Sequence, residues 1–192
     1  MERLQDFIFI ANDVVPTELR TKILQEYVKS DDWQPGAMGL KHETRKEIRN
    51  VDEIHVSEST IIEKNNATRK EIDTALFTCA SLALTKYLEN YKNFTQIQIL
   101  NDEGYTLLRY QESQFYVEHI DASSSYKFRR VLSCSFAVND EYEGGEWSFF
   151  GGAYTQRLNA GDAIIFPSNF LFPHSILPIT SGVRYSVVTW FG

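Results

Sequence analysis

The sequence predicts an α+β fold, with helices before residue 93 and a sandwich or barrel of short strands after it. Three observations carry this. Two stretches before residue 93 repeat apolar residues at helical spacing. After Asn93 the pattern changes to period two, rich in β-branched and aromatic residues. The aromatic share is 14%, with 13 Phe and 10 Tyr, and such side chains suit pleated faces. Apolar residues at 43% and charged ones at 23% exclude collagen, disordered and disulfide-scaffold classes. At 192 residues the chain is expected to form one domain that needs no disulfide or zinc to fold.

Residues 5–12 read as an opening strand. Pro16 starts a helix, with Leu19, Ile23 and Tyr27 on one row and Leu24 and Val28 beside them. It stops before Ser30, and Trp33 packs against its end. Residues 34–64 contain Pro35-Gly36, Gly39 and few large apolar residues, so they read as a mobile loop or hairpin, a lid over a site. Lys41, His42, Arg45, Lys46 and Arg49 cluster there among Glu43 and Glu47, which reads as a solvated mixed-charge segment. A longer helix runs from Ala67 to Tyr91, burying Ile72, Leu76, Cys79 or Ala80, Ala83 and Tyr87. Strands are expected at 94–100, 105–111, 114–119, 130–138, 146–150, 153–158, 162–166, 171–176 and 183–191. Gly-rich turns such as Glu143-Gly144-Gly145 and Gly151-Gly152 separate several of them. The domain then divides into support and lid over 1–93 and a core over 94–192.

The net charge is 19 − 26 = −7, spread over both halves, which argues against nucleic acid as a partner. Cys79 and Cys134 are far apart in apolar surroundings and read as reduced core thiols. No cationic start leads into a long apolar run, and no stretch approaches the roughly 20 apolar residues that cross a bilayer. The expectation is a cytoplasmic protein with no membrane partner. With no added element after Phe191, a monomer is expected.

Of the four histidines, two stand in a chemical context. His119-Ile120-Asp121 places an imidazole and a carboxylate on one face of a strand. His174 lies on another expected strand. Two His and one carboxylate on one side of a metal leave the opposite positions open, which is the ligand set of non-haem Fe(II) oxygenases. His-x-Asp alone is a weak signal, and a turn histidine bonded to Asp121 is its plainer reading. Ten residues after His174, Arg184 shares a strand face with Ser186, Val188 and Trp190. A buried cation needs a carboxylate. Arg184 is therefore either a structural salt bridge or a fork for the far carboxylate of an organic acid.

Beyond these residues, 105–191 resemble the 2-oxoglutarate/Fe(II)-dependent oxygenase superfamily, in its prolyl 4-hydroxylase-like branch. Eight elements fall in order: Tyr110, Tyr116-x-x-His119-x-Asp121, Arg130, Gly144-Gly145-Glu146, Gly161-Asp162 through Phe166-Pro167, His174, Arg184 and Trp190. The resemblance implies a double-stranded β-helix, a jelly-roll or cupin-like barrel braced by the N-terminal helices. It implies that His119, Asp121 and His174 hold Fe(II). Arg184 would pair with the distal carboxylate of 2-oxoglutarate, with Tyr110 donating to it and Ser186 as a further candidate. Arg130 and Trp190 match positions that contact substrate near the iron. Their plainer readings are a surface ion pair and a core residue. There are departures: Gln111-Glu112-Ser113-Gln114 stands where relatives often carry Gly, Arg184 where prolyl hydroxylases commonly use Lys, and Ala122-Ser123-Ser124-Ser125 follows the metal motif.

The implied activity is hydroxylation of a C–H bond, foremost of proline in a peptide or protein, with O2 consumed and succinate and CO2 formed. Ascorbate would serve as reductant. No side-chain acid or base is needed. Three rivals are a hydroxylase of a free amino acid or small metabolite, a nucleic-acid demethylase, and an inactive cupin-like binding protein. The demethylase branch carries a second Arg where Trp190 stands. Decayed sites usually lose a ligand, whereas here the triad and Arg184 are all present. A lone catalytic domain of this kind suggests a bacterial or viral source.

Overall fold

The computed structural model describes residues 3–38, 43–57, 66–92, 97–122 and 129–192. The elements are β1 (Phe9–Ala11), α1 (Thr17–Tyr27), β2 (Gln34–Pro35), β3 (Arg49–Asn50), β4 (Asp52–His55) and α2 (Ala67–Asn90). Ten further strands follow: β5 (Thr106–Tyr110), β6 (Phe115–His119), β7 (Leu132–Ala137), β8 (Tyr142–Gly144), β9 (Trp147–Phe149), β10 (Tyr154–Gln156), β11 (Ala163–Pro167), β12 (His174–Ile176), β13 (Ile179–Gly182) and β14 (Arg184–Phe191). A seven-stranded sheet runs β1-β11-β7-β14-β5-β4-β2, and a five-stranded sheet runs β10-β9-β12-β6-β3. β13 and β8 form a small third ribbon. This is the double-stranded β-helix with helical bracing that the resemblance implied.

Two apolar clusters explain why the large sheet is buried on both faces. The helices lie on its outer side, where Ile72, Leu76 and Ala83 of α2 meet Leu107, Phe136, Ile165 and Val187. Between the two sheets lies the second cluster, with Leu108, Tyr110, Ile164 and Phe166 from the large sheet and Trp147, Phe149 and Ile176 from the small one. The period-two rule decides which residue goes where. On β14, Val187 and Phe191 face the helices, while Val188 packs with the inner cluster.

α2 starts on Asn66, whose side chain accepts from the Arg69 N–H at 3.2 Å. Arg69 also binds Glu26 at 2.8 Å and Asp32 at 2.6 Å, tying the end of α1 to the start of α2. Trp33 does pack on that end, its indole donating to the Tyr27 carbonyl at 2.9 Å. At the Gly161-Asp162 turn, φ of +100° at Gly161 makes the corner. The buried Asp162 carboxylate accepts from the Asp13 N–H at 3.1 Å and the Asn159 N–H at 3.2 Å.

Several expected boundaries shift. The opening strand is split into a 3-10 turn over Leu4–Phe7 and the short β1. Of the strand expected at 94–100, residues 97–100 hold no regular structure, and 94–96 lie outside the described residues. The segment 34–64 is not loop throughout. It supplies β2 and β4 to the large sheet and β3 to the small one. Residues 39–42 and 58–64 of the expected lid lie outside the described residues. Nor is the charge cluster wholly solvated: Arg49 is buried against Glu53 at 2.8 Å. Arg49 of β3 and Glu53 of β4 meet where the chain passes from the small sheet to the large one through the buried Val51.

Candidate metal and co-substrate site

The small sheet assembles the triad. His119 ends β6 and His174 opens β12, and the two are direct cross-strand partners. Their rings sit 4.3 Å apart, centroid to centroid. Asp121, two residues on, closes the group, so that ligand atoms of all three lie within 4.8 Å of one another. Each imidazole is oriented by a carbonyl two residues before it. Nδ1 of His119 lies 2.8 Å from the Val117 oxygen, and Nδ1 of His174 lies 3.0 Å from that of Phe172. A carbonyl only accepts, so these bonds assign the proton to Nδ1 and leave Nε2 to coordinate. Nε2 of His119 lies 3.6 Å from Asp121 Oδ1, and Nε2 of His174 lies 3.5 Å from Oδ2. Ser133 donates to Oδ2 at 2.7 Å and also meets the Ser168 hydroxyl at 2.8 Å.

The electrostatics suit a cation. Burial works against the charge on Asp121, but His174, His119 and the Ser133 hydroxyl outweigh it and hold the carboxyl below the ordinary carboxylate range. Burial pushes His174 down to about 4, with Asp121 opposing only in part, so this imidazole is neutral at pH 7. Imidazole lone pairs converging with an ionised carboxylate form a metal-donor set, and two His with one carboxylate fit Fe(II).

The metal-free protein should therefore weaken in mild acid. The folded-state value of His174 lies below its ordinary 6.5. The unfolded chain takes up the proton first, so stability present above pH 6.5 is lost as pH falls towards about 4. The loss is of order 3 kcal/mol. Urea midpoints of the metal-free protein should fall over this window, and His174→Gln should flatten the profile.

The second half of the site is cationic. Arg184, only 3% exposed, opens β14 opposite Tyr110 of β5. Its guanidinium carbon lies 5.2 Å from the Tyr110 ring and 5.7 Å from that of Trp147. Among the described residues no carboxylate pairs with it, which removes the salt-bridge reading. Tyr110 is 1% exposed, and its hydroxyl has no hydrogen bond among the described residues. Burial pushes the Tyr110 phenol above its ordinary pKa, against the Arg184 charge, so it stays a phenol donor. The Ser186 hydroxyl is also buried without a partner.

Gly145 makes room for Arg184. Its φ is +69°, and a Cβ there would stand 3.1 Å from Arg184 Cδ and 2.4 Å from Ile179 Cδ1. Gly145→Ala is expected to lower the melting temperature by roughly 5 °C through strain and overpacking. Differential scanning calorimetry checks it.

Arg130 and Trp190 lie at the mouth. The Arg130 guanidinium sits 3.6 Å over the Trp190 ring and forks onto Glu103, with Nη2 at 2.7 Å from Oε2. Its Nη1 reaches the Asp121 carbonyl at 3.4 Å. The ion-pair reading of Arg130 thus holds together with a position beside the triad. Trp190 is half-buried and lines the cleft rather than the core.

Other cleft residues had no assigned role in the sequence. The Tyr116 ring stacks on His119 at 3.5 Å and 15°. Arg49 lies 5.4 Å over Tyr116, because Arg49 and Tyr116 are cross-strand partners. Trp147, Ser133 and Ser135 also line the cleft. The Arg49-x-Val51-x-Glu53 alternation was the one available signal for Arg49.

Part of the chain is similar in sequence to known proteins, and its fold is shared more widely. Residues 105–192, just under half of the chain, match the family model of the 2OG-Fe(II) oxygenase superfamily. A PKHD-type hydroxylase of Idiomarina loihiensis is 32% identical over 89 residues, 44% of this chain and 40% of that protein. One from Synechococcus sp. is 42% identical over 76 residues, 38% of this chain and 33% of that protein. The match thus spans about two fifths or less of the length of these curated relatives. Three solved structures share the fold. A prolyl hydroxylase from Trichoplax adhaerens, in complex with a hypoxia inducible factor oxygen degradation domain peptide fragment, has a TM-score of 0.75 at 15% identity, covering 96% of this chain and 83% of that one. A Pseudomonas putida prolyl-4-hydroxylase has 0.63 at 19%, covering 96% and 92%. The viral collagen prolyl hydroxylase of Paramecium Bursaria Chlorella virus-1 has 0.67 at 15%, covering 96% and 94%. Residues 105–192 are thus similar in sequence to the 2OG-Fe(II) oxygenase superfamily, and the chain shares its fold with the three hydroxylases. Within that superfamily, whose members use Fe(II), 2-oxoglutarate and O2, the resemblance is to the prolyl 4-hydroxylase-like branch.

Proposed function

We propose that the protein is a 2-oxoglutarate- and Fe(II)-dependent hydroxylase acting on proline within a peptide or protein. The observation that carries this is the pairing of two incomplete half-sites in one interior. One is the His119-Asp121-His174 donor set, and the other an Arg184 guanidinium that no carboxylate pairs among the described residues. Either alone would be costly to bury. A metal-bound dicarboxylate completes both.

In this reading His119, Asp121 and His174 hold Fe(II), and Arg184, Tyr110 and Ser186 hold the far carboxylate of 2-oxoglutarate. When bound, the metal and co-substrate supply the oxidising chemistry: 2-oxoglutarate and O2 become succinate and CO2 as a C–H bond becomes C–OH. The chain's own part is to orient and to exclude water. Val117 and Phe172 carbonyls fix the two imidazoles, Ser133 fixes the carboxylate, and Phe149 and Phe166 wall the interior. Arg130 and Trp190 stack at the mouth, placed to meet a peptide beside the metal.

The proline assignment is supported by the prolyl hydroxylase neighbours, one of which was solved with a peptide bound. Ascorbate as reductant, a monomeric state and a cytoplasmic setting belong to the same proposal. Two free, buried cysteines suit a reducing compartment. The test is mass spectrometry of proline-containing peptides after incubation with Fe(II), 2-oxoglutarate and O2. One added oxygen on proline, with matching succinate, is the expected result. Turnover of a free amino acid while every peptide stays unmodified would overturn the peptide assignment.

A further inference from the structure

The interior holds more unpaired donors than the residues assigned above. Among the described residues, Trp147 Nε1 and the Ser135 hydroxyl are also buried with no hydrogen-bond partner. Trp147 is 7% exposed and Ser135 2%. Both line the cleft that opens on the triad. A buried donor left unmade costs about 1–3 kcal/mol, so two in one cleft call for an acceptor.

Their placement says which acceptor. The Trp147 ring lies 5.5 Å from the His174 ring on one side and 5.7 Å from the Arg184 guanidinium carbon on the other. It therefore bridges the metal end and the cation end of the interior. Ser135 marks the same path on the facing sheet. Along β7, Ser133 pairs with Trp190, Ser135 with Val188 and Ala137 with Ser186. Moving from Ser133 to Ala137 thus runs from the Asp121 ligand towards the Arg184 end.

We infer that Trp147 is a co-substrate-binding residue, its indole N–H donating to an oxygen of 2-oxoglutarate held between the triad and Arg184, with the Ser135 hydroxyl donating from the opposite wall. This rests on the 2-oxoglutarate reading above. It adds two neutral donors to the Arg184 fork, and makes the pocket selective for a dicarboxylate with acceptors along its length. A monocarboxylate 2-oxo acid would leave one or both donors unpaired.

The test measures binding without turnover. Protein loaded with Zn(II) is titrated with 2-oxoglutarate, and the indole N–H signals are followed by NMR. The Trp33 and Trp190 signals, assigned by their own Phe variants, are references. The remaining signal, Trp147, should move downfield at saturation as its hydrogen bond forms. Calorimetry should show Trp147→Phe weakening 2-oxoglutarate binding about ten- to a hundredfold and Ser135→Ala about three- to tenfold, with metal affinity unchanged. An unmoved Trp147 signal in saturated protein, or wild-type affinity in Trp147→Phe, would overturn the inference while leaving the co-substrate reading intact. Failure of the wild-type protein to bind 2-oxoglutarate would instead remove the reading on which it rests.

Discussion

Asp121→Ala is expected to abolish turnover and to weaken Fe(II) binding by more than about a hundredfold, since losing a residue that merely orients a metal ligand typically costs about 10- to 100-fold. The reason is in the charge balance. Asp121 is the one anion of the triad, and its ionised form is maintained against burial by His174, His119 and Ser133. Without it, the two imidazoles face a divalent cation with no carboxylate left in the triad. Ser133→Ala should be milder, on the order of tenfold, because it only frees an oxygen that Ser133 orients. Equilibrium dialysis of Fe(II) under anaerobic conditions separates the two variants. Equal effects would mean that the carboxylate acts through its hydrogen bond and not as a ligand.

Arg184→Ala should show opposite signs in function and stability. Co-substrate affinity is expected to fall by more than about a hundredfold, because a desolvated charge-assisted fork is lost. The ligand-free protein should nonetheless be as stable as wild type or more so. A buried cation without a carboxylate is a cost to the folded state, and alanine removes it. Arg184→Lys keeps the charge but loses the planar fork, so an intermediate affinity is expected. Calorimetric affinities and thermal midpoints of the ligand-free forms provide both readings. A large fall in ligand-free stability would assign Arg184 to the scaffold instead.

The legible parts of the fold were those where one pattern dominates locally. Ile72, Leu76, Ala83 and Tyr87 declare the inner stripe of α2, and all are buried. Along Arg184–Phe191, Tyr185, Val187 and Phe191 enter the outer cluster while Val188 enters the inner one. The sequence of 34–64 reads only as a loop or hairpin, without assigning β3 and β4, because these are two and four residues long and carry Arg49, Asp52 and Glu53. Their burial depends on pairing with β6 and β5, which lie far along the chain. β8 and β13 were missed for the same reason, being short and paired with each other across a long separation.

The site divides in the same way. His119-x-Asp121 is a local spacing that keeps both side chains together where β6 ends, and His174 meets His119 by cross-strand register. Arg184 and Tyr110 came through their place in a motif, and register shows why they go together. Trp147 follows Gly144-Gly145-Glu146 and reads from sequence as one more aromatic of a barrel. Its contribution lies in an unpaired N–H between two distant residues, and no spacing records that.

The central claim is that one interior binds Fe(II) and 2-oxoglutarate together. Its most direct test is an anaerobic titration of the Fe(II)-loaded protein with 2-oxoglutarate, followed in the visible region. The account predicts a weak charge-transfer band that saturates in the wild-type protein and is absent in His174→Ala. A wild-type protein that binds Fe(II) yet shows no such band at saturating 2-oxoglutarate would contradict it.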